Sequence, residues 1–391
     1  MKIQAVTNKR KPPVAVLHLV DMLDAGGMER VAVNLVNALP RDRFVLHLCT
    51  TRRDGPLASL VAGDVGRVCL QRRRTLEWQA VRHLAAYIEQ HEIQLLHAHG
   101  SALFMARVGA ALARRRTSII WHDHYGRYLE IARPAWLYQL ATQRIGGVIA
   151  VNQPLAEWAC HQLHVPQERM WYVPNFVPQV EEELTALKLP GKAGARIVCV
   201  ANLRPQKDHV TLLRALALVK RVQPQAHLIL VGSSLDQAQL ATVRAEVGRL
   251  ELTAEVTYLG ERRDVTAILR SCDIGVLSSA SEGMPLALIE YGMARLPVVA
   301  TAVGQCAEVL DQGRAGILVP PAAPQALAEA LLQLLQKPTQ AAALGERFYQ
   351  HAQAHYSADV VTHRIGRIYE AVLAGKPAKA KVTKRQVNLA R

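Results

Sequence analysis

The sequence predicts an α/β protein of two doubly wound domains, each a parallel sheet with helices on both faces. Three observations predict it. Short β-rich runs alternate with helical periodicity along nearly the whole chain. A Pro- and Gly-rich break near the middle interrupts the alternation, which then restarts. The length, 391 residues, suits two domains of about 100–200 residues each.

In the first half, strands are expected at Val14–Val20, Phe44–Thr50, Leu95–Ala98, Ser118–His122 and Gly147–Val151. Amphipathic helices fall between them, among them Met28–Leu39 and Leu76–His91. A helix between strands returns the chain to the same end of the sheet, so the strands run parallel. The break spans Pro174–Gly194 and holds Pro178, the acidic run Glu181–Glu183, Pro190 and Gly191. Strands are then expected at Arg196–Ala201, His227–Val231, Val256–Leu259, Ile274–Ser278 and Val298–Ala300. The helices between them are Val210–Val222, Asp236–Arg249, Asp264–Arg270 and Leu286–Met293, and Gln325–Leu335 and Thr339–Glu370 follow. The expected domains are residues 1–185 and 186–355, then a helix over 356–373 packing back on the first, then a basic disordered tail over 374–391.

Composition excludes several classes. Half of the residues are apolar and a fifth charged, which suffices for two buried cores and excludes global disorder. No apolar run reaches the roughly 18–20 residues of a membrane span. Lys9–Lys11 before Val14–Val20 has the outline of a secretory signal, but Pro12, Pro13, His18 and Asp21 interrupt it and no small-residue cleavage site follows. Six cysteines without a CxxC pair predict a reduced, cytoplasmic protein without structural zinc.

The formal charge is +15, of which residues 1–188 carry +7, 372–391 carry +6 and the remainder +2. A basic first half and tail suggest anionic partners: a phospholipid surface at the inner face of the cell membrane, a lipid-linked pyrophosphate, or nucleic acid. A nucleic-acid-binding module is the rival from another class, but aromatics are scarce and no recognition motif is present, so no nucleic acid is expected. Arg72–Arg74 and Arg114–Arg116 are either solvated loop and helix-end charge or a landing patch for anionic head groups, assisted by Lys376, Lys379, Lys381 and Lys384.

In open parallel sheets, ligands bind beyond the carboxyl ends of the strands. The block Ser281-Glu282-Gly283-Met284-Pro285-Leu286-Ala287-Leu288-Ile289-Glu290 stands there, after one strand and at the opening of a helix. Gly283 permits close backbone approach. Pro285 suits a first helical turn, and the free N–H groups around Met284 and Leu286 can meet a phosphate. Glu282 would reach sugar hydroxyls, and Glu290, two turns down the helix, a ribose.

This block, with Ala302-Val303-Gly304-Gln305, Glu308 and Gly316–Pro320, resembles glycosyltransferase family 4, a GT-B group that transfers sugars with retention at the anomeric carbon. Val200–His209, Leu230-Val231-Gly232, Tyr258-Leu259-Gly260, Gly26–Arg30, His97-Ala98-His99 and Val173-Pro174-Asn175 extend the resemblance over most of the chain. It implies a nucleotide-sugar donor such as a UDP-, GDP- or ADP-sugar, no cofactor and no metal. It also implies a front-face reaction in the cleft between two facing domains. A cell-envelope glycan or its lipid-linked precursor suits the basic first half as acceptor.

Without a metal, fixed cations must neutralise the departing diphosphate. Lys207 matches the family, but Ala201-Asn202 stands where the family often has Gly-Arg, so Arg204 is the candidate replacement, with Asn202 and Gly232 beside it. Gly27, in a glycine pair at a helix start, would approach phosphate or sugar through its backbone. His122 is the better match to the family's sugar-facing histidine and His124 the alternative. His122 and His124 suggest a metal only if a third ligand is near, and none follows in sequence. The rival enzymes are a sugar-nucleotide epimerase and a phosphorylase. A pyridoxal-type phosphorylase needs a cofactor lysine, which is not identifiable.

Overall fold

A computed structural model describes residues 12–24, 26–75, 77–125, 133–178, 187–234 and 237–375. The expectations for Lys9–Lys11, Leu76, Gly126, Glu181–Glu183, Asp236 and the tail from residue 376 lie outside these. The chain divides into two compact units. The first comprises residues up to His124, Pro134–Tyr172 and those from Thr362 on; the second comprises Tyr125–Arg133 and Val173–Val361.

The first unit is built on a seven-stranded parallel sheet. Its strands are β1 (Val14–Met22), β2 (Phe44–Arg53), β3 (Gly66–Cys69), β4 (Leu95–His99), β5 (Ser118–Asp123), β6 (Gly147–Ala150) and β7 (Met170–Tyr172). Their order is β3-β2-β1-β4-β5-β6-β7, so the direction of winding reverses between β1 and β4. Val16, Leu17, His18, Leu19 and Val20 are all fully buried. Both faces of β1 are covered, and the strand is a continuous apolar run broken only by His18. Parallel register sets His18 beside His97, and His99 beside His122.

The second unit carries six parallel strands: β8 (Arg196–Val200), β9 (His227–Val231), β10 (Val256–Gly260), β11 (Ile274–Leu277), β12 (Val298–Thr301) and β13 (Ile317–Val319). The order β10-β9-β8-β11-β12-β13 reverses between β8 and β11. These two strands pair only at Ile274 with Ile197 and Gly275 with Val198. Where they part, the fully buried Tyr291 supplies the missing ladder: its hydroxyl accepts from the Val200 N–H (2.7 Å) and donates to the Val276 carbonyl (3.2 Å). Buried backbone groups must be paired somewhere, and here one side chain serves both strands.

The helix-rich end expected over Thr339–Glu370 consists of two helices, Pro338–Tyr356 and Ala358–Leu373, the second falling within the helix expected over 356–373. Ser357 between them is extended (φ −71°, ψ 155°) and bridges to Val177. No Gly or Pro announces the break. From Thr362 the last helix belongs to the first unit, where Tyr369 is fully buried and Glu370 pairs with Arg43 (2.6 Å). The first unit's main segment ends at Tyr172 rather than at residue 185, because Val173–Pro178 pack in the second unit. Strands β3, β7 and β13 carry too few residues to show a period. All six cysteines are free, and no described helix is long and apolar enough to cross a membrane.

Candidate functional site

The switch point of the second unit collects the charged part of the site. After β8 the chain passes Ala201–Arg204 into a short 3-10 turn, Pro205–Lys207. After β11 it forms the loop Ser278–Pro285, ahead of helix Leu286–Met293. The two loops are sewn together by backbone: Ala280 N–H donates to the Gln206 carbonyl (2.8 Å), and Ser278 Oγ donates to the Lys207 carbonyl (3.0 Å). This holds Lys207 Nζ 2.5 Å from Glu282 Oε1, which also accepts from Ser279 Oγ (2.6 Å). Glu282 is 9 % exposed, so the ammonium of Lys207 and the hydroxyl of Ser279, rather than bulk water, partner its Oε1.

The loop's shape depends on β12. Thr301 Oγ1 donates to the Ser279 carbonyl (2.6 Å), and Gln305 N–H donates to the Gly283 carbonyl (3.1 Å). Gly304 has φ +52°, and a Cβ there would lie 2.0 Å from the Glu282 carbonyl oxygen. Only glycine permits this contact. Gly232 is the other tight point: φ is +150°, and a Cβ would lie 2.2 Å from the Ala201 carbonyl oxygen. Its own carbonyl accepts from Tyr258 OH (2.8 Å).

The remaining expected donor residues fall around this centre. Asn202 Oδ1 accepts from Ser233 N–H (2.9 Å), so Asn202 joins the ends of β8 and β9. Arg204 is exposed; its carbonyl accepts from Lys207 N–H (3.0 Å), and its side chain has no hydrogen bond or ion pair among the described residues. Met284 is buried and faces Asn175, whose amide Nδ2 donates to its carbonyl (3.2 Å). Leu286 opens the helix, with Pro285 as its cap. The helix presents free N–H groups, a favourable end for an anion. Glu290 lines a cavity of about 260 Å³ with Thr266, Arg270, Arg295 and Tyr349.

The first unit holds its candidates at its own switch point. Gly27 opens helix Gly27–Ala38 and is exposed; the Glu29 carboxylate already sits over Gly26, where it complements the helix dipole. Asp21, at the end of β1, accepts from Thr51 Oγ1 (2.5 Å), Ser101 Oγ (2.6 Å) and Arg72 Nη2 (3.0 Å). These partners hold its carboxyl below the usual range against the opposing effect of burial. Arg72 therefore belongs neither to a solvated run nor to a landing patch. It is 7 % exposed and also donates to the carbonyls of Arg74 and Thr75.

His122 is 2 % exposed and His124 half-buried. The expectation that they lack a third ligand does not hold. Ligand atoms of His99, His122 and His124 lie within 4.8 Å of one another, as do those of His18, His97 and His99. The neighbours come from β4 and β1 through register, which sequence spacing does not display. Burial lowers the pKa of all five, His18 and His124 to about 3, with neighbouring imidazoles adding to the shift at His97, His99 and His122. All five are neutral imidazoles at neutral pH.

Residues 25–179 match the family described as Glycosyltransferase Family 4, and residues 194–337 match the one described as Glycosyl transferases group 1. The chain belongs to this group of GT-B glycosyltransferases. Among relatives, the D-inositol 3-phosphate glycosyltransferase of Corynebacterium urealyticum is 30% identical over 51% of this chain and 48% of its own. The phosphatidyl-myo-inositol mannosyltransferase of Mycobacterium tuberculosis is 27% identical over 77% of this chain and 79% of its own. The chain spans about half the length of several curated relatives, 48%, 60%, 54% and 55% in four of them. Among solved structures, Anabaena HepE in complex with UDP and glucose superposes with a TM-score of 0.78 at 20% identity, covering 91% of this chain and 99% of that one. The sucrose-phosphate synthase of Thermosynechococcus elongatus gives 0.75 at 21%, covering 93% and 100%.

Proposed function

We propose that the chain transfers a hexose-type sugar from a nucleotide-sugar to a cell-envelope glycan or lipid-linked acceptor, with retention and without a divalent metal. The observation that carries this reading is the Lys207–Glu282 pair, 2.5 Å apart at the switch point and beside the start of helix Leu286–Met293. A donor diphosphate would meet the free N–H groups of that helix and draw Lys207 from Glu282, with Arg204 adding positive charge. The carboxylate, still held by Ser279, would then accept from hydroxyls of the transferred sugar. Glu290 would take the ribose; in the first unit, taken by itself, the Gly27 backbone and His122 are the groups that would meet a sugar. The leaving phosphate oxygen takes the acceptor's proton in the front-face reaction that the family implies.

Relatives named for transfer to inositol phosphate and phosphatidyl-myo-inositol support an anionic or lipid-linked acceptor. The basic first half supports a place at the inner face of the cell membrane. The test is thermal-shift screening against UDP-, GDP- and ADP-sugars, then transfer with and without a chelator. A donor at a hundred times its dissociation constant stabilises by about 2.7 kcal/mol. Glu282→Gln should still bind the donor but lose about a hundredfold or more in transfer, the usual effect of removing a transition-state contact. Wild-type turnover in Glu282→Gln, or activity that needs added magnesium or manganese, refutes the reading.

A further inference from the structure

Five histidines and one tyrosine in the first unit form a single unbranched chain of hydrogen bonds. His124 Nε2 meets His99 Nδ1 (3.0 Å), and His99 Nε2 meets His18 Nδ1 (3.1 Å). His18 Nε2 meets Tyr369 OH (3.1 Å), and the same hydroxyl meets His97 Nδ1 (2.5 Å). His97 Nε2 then meets His122 Nδ1 (3.0 Å). Two ring nitrogens remain, His122 Nε2 and His124 Nδ1; both atoms are buried and neither has a hydrogen-bond partner among the described residues. The two end rings lie 3.9 Å apart, centroid to centroid, so both open nitrogens serve one neighbourhood. His18, His97, His99 and Tyr369 are fully buried and His122 nearly so.

This connectivity fixes the protons. A neutral imidazole carries one N–H and one lone pair, and Tyr369 has a single proton to give. Suppose Tyr369 donates to His97. Then His97 donates from Nε2 to His122, which must carry its own proton on Nε2. Tyr369 then accepts from His18 Nε2–H, His18 accepts from His99 Nε2–H, and His99 accepts from His124 Nε2–H, which leaves His124 Nδ1 bare. If Tyr369 donates to His18 instead, every proton moves to the other nitrogen of its ring. Each alternative puts all five histidines in the same tautomer. Any mixture sets two lone pairs or two protons face to face in a buried site, where an unmade hydrogen bond is costly.

We propose that this chain is one tautomeric relay, in which Tyr369 is the positioning residue and the ends His122 and His124 always offer one donor and one acceptor. A sugar hydroxyl both donates and accepts, and it is the ligand chemistry that such a pair fits. This assignment of ligand class rests on the proposed sugar transfer, whereas the relay itself does not. Protonating any ring breaks the alternation, and burial lowers the pKa of all five imidazoles in the same sense. A transition-metal ion is the competing occupant, because it would take lone pairs that the rings now use on one another.

The experiment is imidazole nitrogen NMR on the isotope-labelled full chain at neutral pH without substrate, together with metal analysis of the purified protein. The expected result is five neutral histidines of one tautomer and no stoichiometric metal. Opposite tautomers in the two arms, a charged member, or a bound metal at one per chain overturns the relay. In Tyr369→Phe the arms should uncouple, and at least one should show mixed tautomers. The variant's kcat/KM for transfer from UDP-glucose or GDP-mannose should fall about tenfold, the weight of one neutral hydrogen bond. If Tyr369→Phe does not fold, the wild-type spectrum alone decides. A uniform tautomer whose His122 and His124 signals ignore both nucleotide-sugars keeps the relay but removes the sugar as its ligand.

Discussion

Mild acid should open the first unit before the second. His18 is fully buried and its pKa is lowered by burial from 6.5 to about 3. Between those values the unfolded chain binds a proton that the folded chain refuses, so stability rises with pH. The contribution is complete above the unfolded value and is lost as pH falls towards the folded one. At about pH 5 the loss from His18 alone is about 2 kcal/mol relative to neutrality. His97, His99 and His122 are shifted in the same direction in the same place, and each adds to it. The second unit has one comparable group, His209, also fully buried and lowered to about 4. Total stability is about 5–15 kcal/mol for an ordinary domain, so the first unit should fail first. All five tryptophans, Trp78, Trp121, Trp136, Trp158 and Trp171, lie in the first unit, and Trp121 is fully buried. Their emission should therefore shift to the red between about pH 6 and 5 while much of the far-ultraviolet helix signal persists. Tryptophan emission unchanged down to about pH 4, or both signals lost together, would refute the reasoning.

Three substitutions and one control test the rest. Tyr291→Phe leaves Val200 N–H and the Val276 carbonyl without their shared partner; it should cost about 1–3 kcal/mol, read as a lower midpoint in urea. Gly304→Ala drives a methyl group into the Glu282 carbonyl at a left-handed backbone position. It should destabilise by about 1–3 kcal/mol and weaken nucleotide-sugar binding in thermal shift, since the loop that carries Glu282 must move. Arg72→Ala strips Asp21 of its buried cation and should cost about 3–5 kcal/mol. Arg73→Ala, at an exposed neighbour, should leave the melting temperature unchanged.

The α/β plan was legible because each strand and helix announces itself within a few residues. Glu282, Gly283 and Glu290 were legible for the same reason: one loop and one helix carry them. What the sequence hid is non-local. Tyr369 reaches His97 across 272 positions and His18 across 351. His18 itself looks like an interruption in an apolar strand. Arg72 reads as one of three exposed arginines, and its burial depends on Asp21, 51 positions away. Lys207 and Glu282 each stood out in the sequence as candidates, but their pairing with each other did not.

On the function proposed above, the two switch points would divide the work by charge. In the second unit the crossover between β8 and β11 holds an ion pair, with Arg204 exposed beside it. In the first unit the crossover between β1 and β4 holds neutral imidazoles; the partly buried Asp21 is matched by Arg72, and a buried carboxylate, Asp123, ends β5 between His122 and His124. A diphosphate requires cations and N–H dipoles, and it would distort the titration of any histidine that stayed near its ordinary pKa. A sugar ring is neutral and asks for donors and acceptors in fixed positions. Histidines that cannot ionise meet that demand over a wide pH range without a net charge, whereas Asp or Lys in the same place would bring one. Burial of five imidazoles costs acid stability, and it is this cost that makes their neutrality measurable.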